Sequence, residues 1–145
     1  MQFGKYGLII SLWAVLAGPV QAAGKSDASR IVSIGGSVTE IIYMLGAADK
    51  IVAVDTTSVF PEEALQSKAS VGYMRQISPE GVLSTRPDLV VAIEGAGPPQ
   101  ALEVLRESGI AYEKIPNTPN TDGVVEKINR IAGLLGRQAQ ANEAI

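Results

Sequence analysis

Leu89-Val90-Val91-Ala92-Ile93 places five apolar residues in succession, with nothing polar to face water on either side. A half-exposed strand alternates apolar with polar. An unbroken run instead suits a strand of a parallel sheet covered by helices on both faces. Arg86-Pro87-Asp88 before it and Glu94-Gly95 after it limit the run to strand length. Ile31-Val32-Ser33-Ile34 and Ile51-Val52-Ala53-Val54 are shorter β-branched runs of the same kind, and residues 110–115 read as a further strand.

Helical patterns fill the intervals. Ser37-Val38-Thr39-Glu40 reads as a capping box, Ile41, Ile42 and Leu45 supply an apolar face, and Gly46 stops the helix. Pro61-Glu62-Glu63 opens a short helix that runs to about Gln66. Ser78, Pro79 and Glu80 suit the N-cap, first position and first turn of a helix that ends near Ser84. Pro98-Pro99 starts a helix with Ala101, Leu102, Val104 and Leu105 on its apolar side and Gly109 at its end. Thr121 or Asp122 caps a longer one, in which Val124, Val125, Ile128, Ile131, Leu134 and Leu135 recur until Gly136. Residues 139–145 look like another helix beginning.

Strands alternating with helices imply an α/β fold, a mainly parallel sheet flanked by helices. In such sheets ligands sit beyond the carboxyl ends of the strands. The loops expected there are residues 35–37, 55–60, 72–75 and 94–98, with Gly36, Ser37, Thr57 and Gly95 facing the cleft. The loop Gly72-Tyr73-Met74-Arg75 sets a tyrosine and an arginine two residues apart in a segment too irregular for core, and so offers Tyr73 to a ligand.

Residues 1–22 have the three parts of an export signal. Lys5 supplies the charge, residues 7–17 the apolar run, and Val20-Gln21-Ala22 a small-residue exit with cleavage expected after Ala22. That run is well short of the roughly 20 residues a spanning helix needs, so the mature protein is expected to be exported rather than membrane-embedded, and periplasmic in a diderm bacterium. No cysteine is present to carry a lipid, a disulfide or a thiolate metal site. Residues 23–29 read as a flexible lead-in.

Removing the signal leaves 11 basic against 15 acidic residues, a mature charge of −4 that argues against nucleic acid as a partner. The chain contains no histidine, which removes the usual general base, zinc ligand and serine-triad partner together. Gly35-Gly36-Ser37 matches neither dinucleotide nor phosphate loop spacing, and Gly35-Gly36-Ser37-Val38-Thr39 is not a nucleophile elbow. Asp55 and Glu94, at strand ends, are the carboxylates an exported enzyme would use. Structural capping is the simpler role for both, and no enzyme activity is expected.

Three stretches together carry a resemblance: Arg30-Ile31-Val32-Ser33-Ile34-Gly35-Gly36-Ser37-Val38-Thr39-Glu40-Ile41-Ile42, then Gly72-Tyr73-Met74-Arg75, then Leu83-Ser84-Thr85-Arg86-Pro87-Asp88-Leu89-Val90. They resemble the haem (hemin) periplasmic binding proteins of bacterial ABC importers, within the class that also binds cobalamin and ferric siderophores. The first and third stretches are shared across that class and specify fold. The second points to haem.

The resemblance implies one lobe of a two-lobe protein, with residues 30–137 as the N-terminal ligand-binding lobe and residues 138–145 as the start of the interlobe helix. It makes Tyr73 the axial ligand of ferric haem, a hard oxygen donor to a hard metal ion. Arg75 then either donates toward the phenolic oxygen or pairs with a haem propionate. Glu80 stands where the cobalamin-binding relatives carry an acidic residue that docks on the permease. The implied partners are haem as transported ligand and the importer's permease and ATPase, with a cobalamin or ferric siderophore ligand as the alternative.

Overall fold

In the computed structural model, residues 28–145 are described. Seven strands and six helices follow in the order β1 Ile31–Ile34, α1 Gly36–Met44, β2 Ile51–Val54, α2 Glu63–Ser67, β3 Ala69–Ser70, β4 Gly72–Tyr73, β5 Gln76–Ile77, α3 Pro79–Ser84, β6 Leu89–Ile93, α4 Pro99–Glu107, β7 Ala111–Ile115, α5 Thr121–Leu135 and α6 Gln138–Ala144. Five strands form one wholly parallel sheet in the order β3-β2-β1-β6-β7. β4 and β5 pair separately as an antiparallel hairpin.

The apolar run that suggested this sheet is buried at all five positions of β6. Its side chains divide by the two-residue period of a strand. Leu89, Val91 and Ile93 join Ile31 on one face, under α1, α5 and α6, through Val38, Ile42, Ile128, Ile131 and Ala141. Val90 and Ala92 join Val32 and Ile34 on the other face, with Val82 of α3, Leu105 of α4, and Val71 and Ile77 around the hairpin. Each face therefore has its own core, and the sheet divides them.

The strand order reverses between β1 and β6. The chain winds outward from β1 through β2 to β3, then crosses to β6 and β7. Such a switch point opens a crevice beyond the strands' carboxyl ends, here between the loops that follow β1 and β6.

Several local expectations change. α1 starts at Gly36 with Gly35 as N-cap, and no side chain caps it, so Ser37 lies in the first turn and makes no capping box. The reason is tertiary. Gly35 sits at φ 105°, with an ideal Cβ only 2.6 Å from Ile93 Cγ2, a conformation and a contact that only glycine tolerates. At its other end α1 closes as foreseen at Gly46, with Gly46 N donating to Tyr43 O (2.9 Å) and Ala47 N to Ile42 O (3.1 Å). α5 is capped by Asn120, whose Oδ1 accepts from Gly123 N at 2.7 Å, rather than by Thr121 or Asp122. Val104 and Val124, expected on apolar faces, are about half exposed. Ala28 is buried and Ser29 donates to Asp88 through both N and Oγ, so the end of the expected lead-in is held against the strand-β6 entrance. The expected export signal lies outside the described residues.

Candidate functional site

The carboxyl ends of β1, β2, β3 and β6 converge on one rim, where a buried polar network fixes the loops. Asp55, at the end of β2, is fully buried. Its Oδ1 accepts from Gly35 N (2.7 Å) and Ser58 Oγ (3.0 Å), and its Oδ2 from Thr57 N (2.9 Å) and Thr57 Oγ1 (2.7 Å). Ser58 Oγ lies 2.7 Å from Thr39 Oγ1, which lies 2.7 Å from Ser33 Oγ. Four donors saturate this carboxylate. It is a clamp, which leaves it no lone pair for acid–base work.

From the clamp the loops are joined one to the next. Gly36 N donates to Thr57 Oγ1 (3.0 Å). Thr56 N donates to Gly72 O (2.9 Å), and Gly97 N to Met74 O (2.9 Å). The hairpin is thus tied to the β2 loop on one side and to the β6 loop on the other, over the crevice.

That hairpin differs from the irregular loop expected. Gly72 pairs with Ile77 and Tyr73 with Gln76, leaving Met74-Arg75 as a two-residue turn. Tyr73 and Arg75 consequently do not lie on one strand: Tyr73 ends β4 and Arg75 stands in the turn. Met74 packs against both cores and anchors the tip. Tyr73 is 44% exposed, and Arg75 is exposed as well. Among the described residues, neither side chain has a hydrogen-bond or ion-pair partner. A phenol and a guanidinium held on an anchored tip, both facing solvent, are available to a ligand.

The other expected residues divide. Gly36 and Thr57 are in the clamp just described. Gly95 lies exposed in the β6 loop, beside the Glu94–Lys114 ion pair of 3.4 Å, and Glu94 Oε2 also accepts from Asn117 N at 3.4 Å. Glu80 is exposed in the first turn of α3, away from these bonds, where Ser78 caps the helix as expected by accepting from Gly81 N at 3.1 Å.

Ser37 joins a cluster that sequence reasoning missed. Lys127 of α5 is 7% exposed, and its ammonium donates to Ser37 Oγ (3.2 Å) and Asn117 Oδ1 (2.9 Å). Burial lowers its pKa from the ordinary lysine value. It lines a cavity of about 300 Å³ between α1 and α5, with Ser37, Ile41 and Met44 on one wall, Val124 and Ile128 on the other, and the exposed Glu40 beside them. The available signal was a lysine inside an apolar stripe, three residues after Val124 and next to Ile128.

Among the described residues no group of three or more His, Cys, Asp or Glu side chains is placed to hold a metal ion, and no helix is long and apolar enough to cross a membrane.

A doubly covered parallel sheet whose strand-end loops are tied into one exposed rim is an α/β architecture that offers a ligand-binding edge. The chain belongs to the periplasmic binding protein family, matched over residues 31–145. It is similar to a periplasmic heme binding protein of Pseudomonas aeruginosa, with 38% identity and a TM-score of 0.77 over 81% of this chain and 42% of that one. It is also similar to the periplasmic vitamin B12 binding protein of Vibrio cholerae, with 31% identity and a TM-score of 0.71 over 81% of this chain and 45% of that one. A vitamin B12-binding protein of Yersinia pestis is 33% identical over 137 residues, which are 94% of this chain and 45% of that protein. The chain spans about half the length of the curated relatives it matches.

Proposed function

We propose that the chain supplies the Tyr73-bearing N-terminal lobe of a periplasmic haem-binding protein, which captures ferric haem and hands it to the permease and ATPase of an inner-membrane ABC importer. The observation that carries this reading is the unpartnered, solvent-facing phenol of Tyr73 at the tip of a hairpin anchored over the crevice. Ferric iron favours an oxygen donor of this kind. Cobalamin arrives with axial ligands of its own and gives such a residue nothing to do. The heme-binding neighbours among the solved structures support the haem reading. The vitamin B12-binding ones keep cobalamin as the second reading.

Arg75, one residue beyond Met74 in the same turn, supplies a positive charge on the same hairpin, to stabilise either the phenolate or a propionate. Glu80 is free to dock on the permease. The role is binding and release, with no covalent step, in keeping with the saturated Asp55. Export through the N-terminal signal brings the mature protein to the periplasm.

Titration of the chain with hemin and, separately, with cyanocobalamin tests the ligand. The reading expects saturable one-to-one hemin binding and markedly weaker cobalamin binding. The opposite order overturns it in favour of the second reading.

A further inference from the structure

Lys127 is an unusual residue to bury here. The residue is 7% exposed, both acceptors of its ammonium are neutral, and among the described residues no carboxylate lies within ion-pair distance. A buried cation without a counter-ion is costly to the fold, and the depressed pKa records that cost. A purely structural link between α1, α5 and the β7 loop needs only a neutral donor such as glutamine. The positive charge is surplus to it.

The cavity shows what the charge faces. Its walls are mainly apolar, from Ile41, Met44, Val124 and Ile128, and Lys127, Ser37 and Glu40 supply polar groups. Backbone donors are present as well. Gly36 N is taken by Thr57 Oγ1, and Val38 N and Thr39 N by Gly35 O, but Ser37 N has no partner among the described residues. The Lys127 ammonium, the Ser37 hydroxyl and the free Ser37 N–H at the positive end of α1 thus gather at one place. Glu40, one turn further along α1, is exposed and can turn to solvent.

We propose that Lys127 and Ser37 form an anion subsite that receives a carboxylate carried on an apolar body. Resting on the haem reading above, that carboxylate is a haem propionate. The subsite lies on the same sheet rim as Tyr73, at the α1–α5 side, so metal and carboxylate are held by separate elements. One fixes the iron and the other orients the macrocycle.

The test compares hemin with its dimethyl ester, which differ in the charge of the two propionates. Both are titrated into the full chain and into Lys127→Met, following the tyrosinate-to-iron charge-transfer band. The wild-type chain is expected to prefer hemin by about tenfold or more, the usual scale of one charge-assisted hydrogen bond. In Lys127→Met the ratio of the two Kd values falls toward one, and Lys127→Arg retains part of it. A preference that survives intact in Lys127→Met overturns the subsite while leaving the haem reading in place, as does equal binding of both compounds by wild type. Failure of the wild type to bind either compound overturns both. Should Lys127→Met fail to fold, Ser37→Ala replaces it: a narrowed preference supports the subsite, and an unchanged one overturns it.

Discussion

Gly36→Ala is predicted to destabilise the fold and weaken ligand binding, although alanine is the better helix former. An ideal Cβ at Gly36 falls well inside 3.0 Å of the Thr57 carbonyl oxygen and 3.3 Å from its carbon. The obstacle is backbone, so the β2 loop must retreat by several tenths of an ångström. That movement also stretches the Gly36 N to Thr57 Oγ1 bond of 3.0 Å. Overpacking of this kind costs about 1–3 kcal/mol and a lost hydrogen bond about 1 kcal/mol, against a helix-propensity gain of under ~1 kcal/mol. The net loss is about 2 kcal/mol, or a fall in Tm of roughly 8 °C for a domain of this size. Gly133→Ala is the internal control. It makes the same substitution within α5, where an added Cβ meets nothing within 4 Å, and should raise stability by about 0.5–1 kcal/mol. Thermal unfolding followed by far-ultraviolet circular dichroism reads both. Hemin affinity should fall in Gly36→Ala, because Thr56, next to the displaced Thr57, holds Gly72 of the hairpin. A Gly36→Ala protein melting at or above wild type would refute the idea that the loops are locked at this contact.

Three further outcomes follow from the charged groups. Asp55→Ala leaves four donors without their acceptor in a fully buried position. Two of the four, Gly35 N and Ser58 Oγ, stand in buried bonds; at about 1–3 kcal/mol for each buried group left unpaired, urea denaturation should show a loss of about 2 kcal/mol or more, whereas a loss below about 1 kcal/mol contradicts the clamp. Asp88 is partly desolvated, which alone raises its pKa, but hydrogen bonds from Ser29 N, Arg30 N and Ser29 Oγ outweigh this and hold it below the ordinary value. Its folded pKa is depressed, so its contribution to stability is present above pH ~4 and is lost as pH falls through the folded value. Asp88→Asn should therefore show a shallower loss of Tm between pH 5 and pH 3 than wild type. Lys127, with a folded pKa below its unfolded one, makes the unfolded chain the better proton binder between the two values. Stability should accordingly rise with pH in the window below about 10.5, and Lys127→Met should lack that rise and melt no lower than wild type at pH 7.

The parallel sheet was legible because its signal is local. A strand covered on both faces must be apolar at every position, as Leu89 to Ile93 is. The caps were less legible, since their choice is decided across the fold. Ser37 has the chemistry of an N-cap, but the approach of Ile93 to Gly35 and of Thr57 to Gly36 moves the start of α1 back to Gly36. β3 and the hairpin strands contain two residues each and carry no periodicity to detect. The exposure of Tyr73 could be read from its irregular surroundings. Its geometry relative to Arg75 could not, because the turn at Met74-Arg75 exists only once Gln76 pairs back with Tyr73. Asp55 could be read as a structural cap, because Thr57 and Ser58 follow it closely, whereas Lys127 was hidden, because its partner Ser37 lies far away in sequence.

The measurement that bears most directly on the central claim is the absorption spectrum of the chain with one equivalent of hemin, recorded for wild type and for Tyr73→Phe. Tyr73 is 44% exposed and no protein group bonds its hydroxyl among the described residues, so the substitution removes one oxygen without disturbing the fold. Wild type is predicted to show the charge-transfer band of tyrosinate-bound ferric haem, and Tyr73→Phe to lose that band and bind hemin at least tenfold more weakly. The same band at the same affinity in Tyr73→Phe would contradict the account.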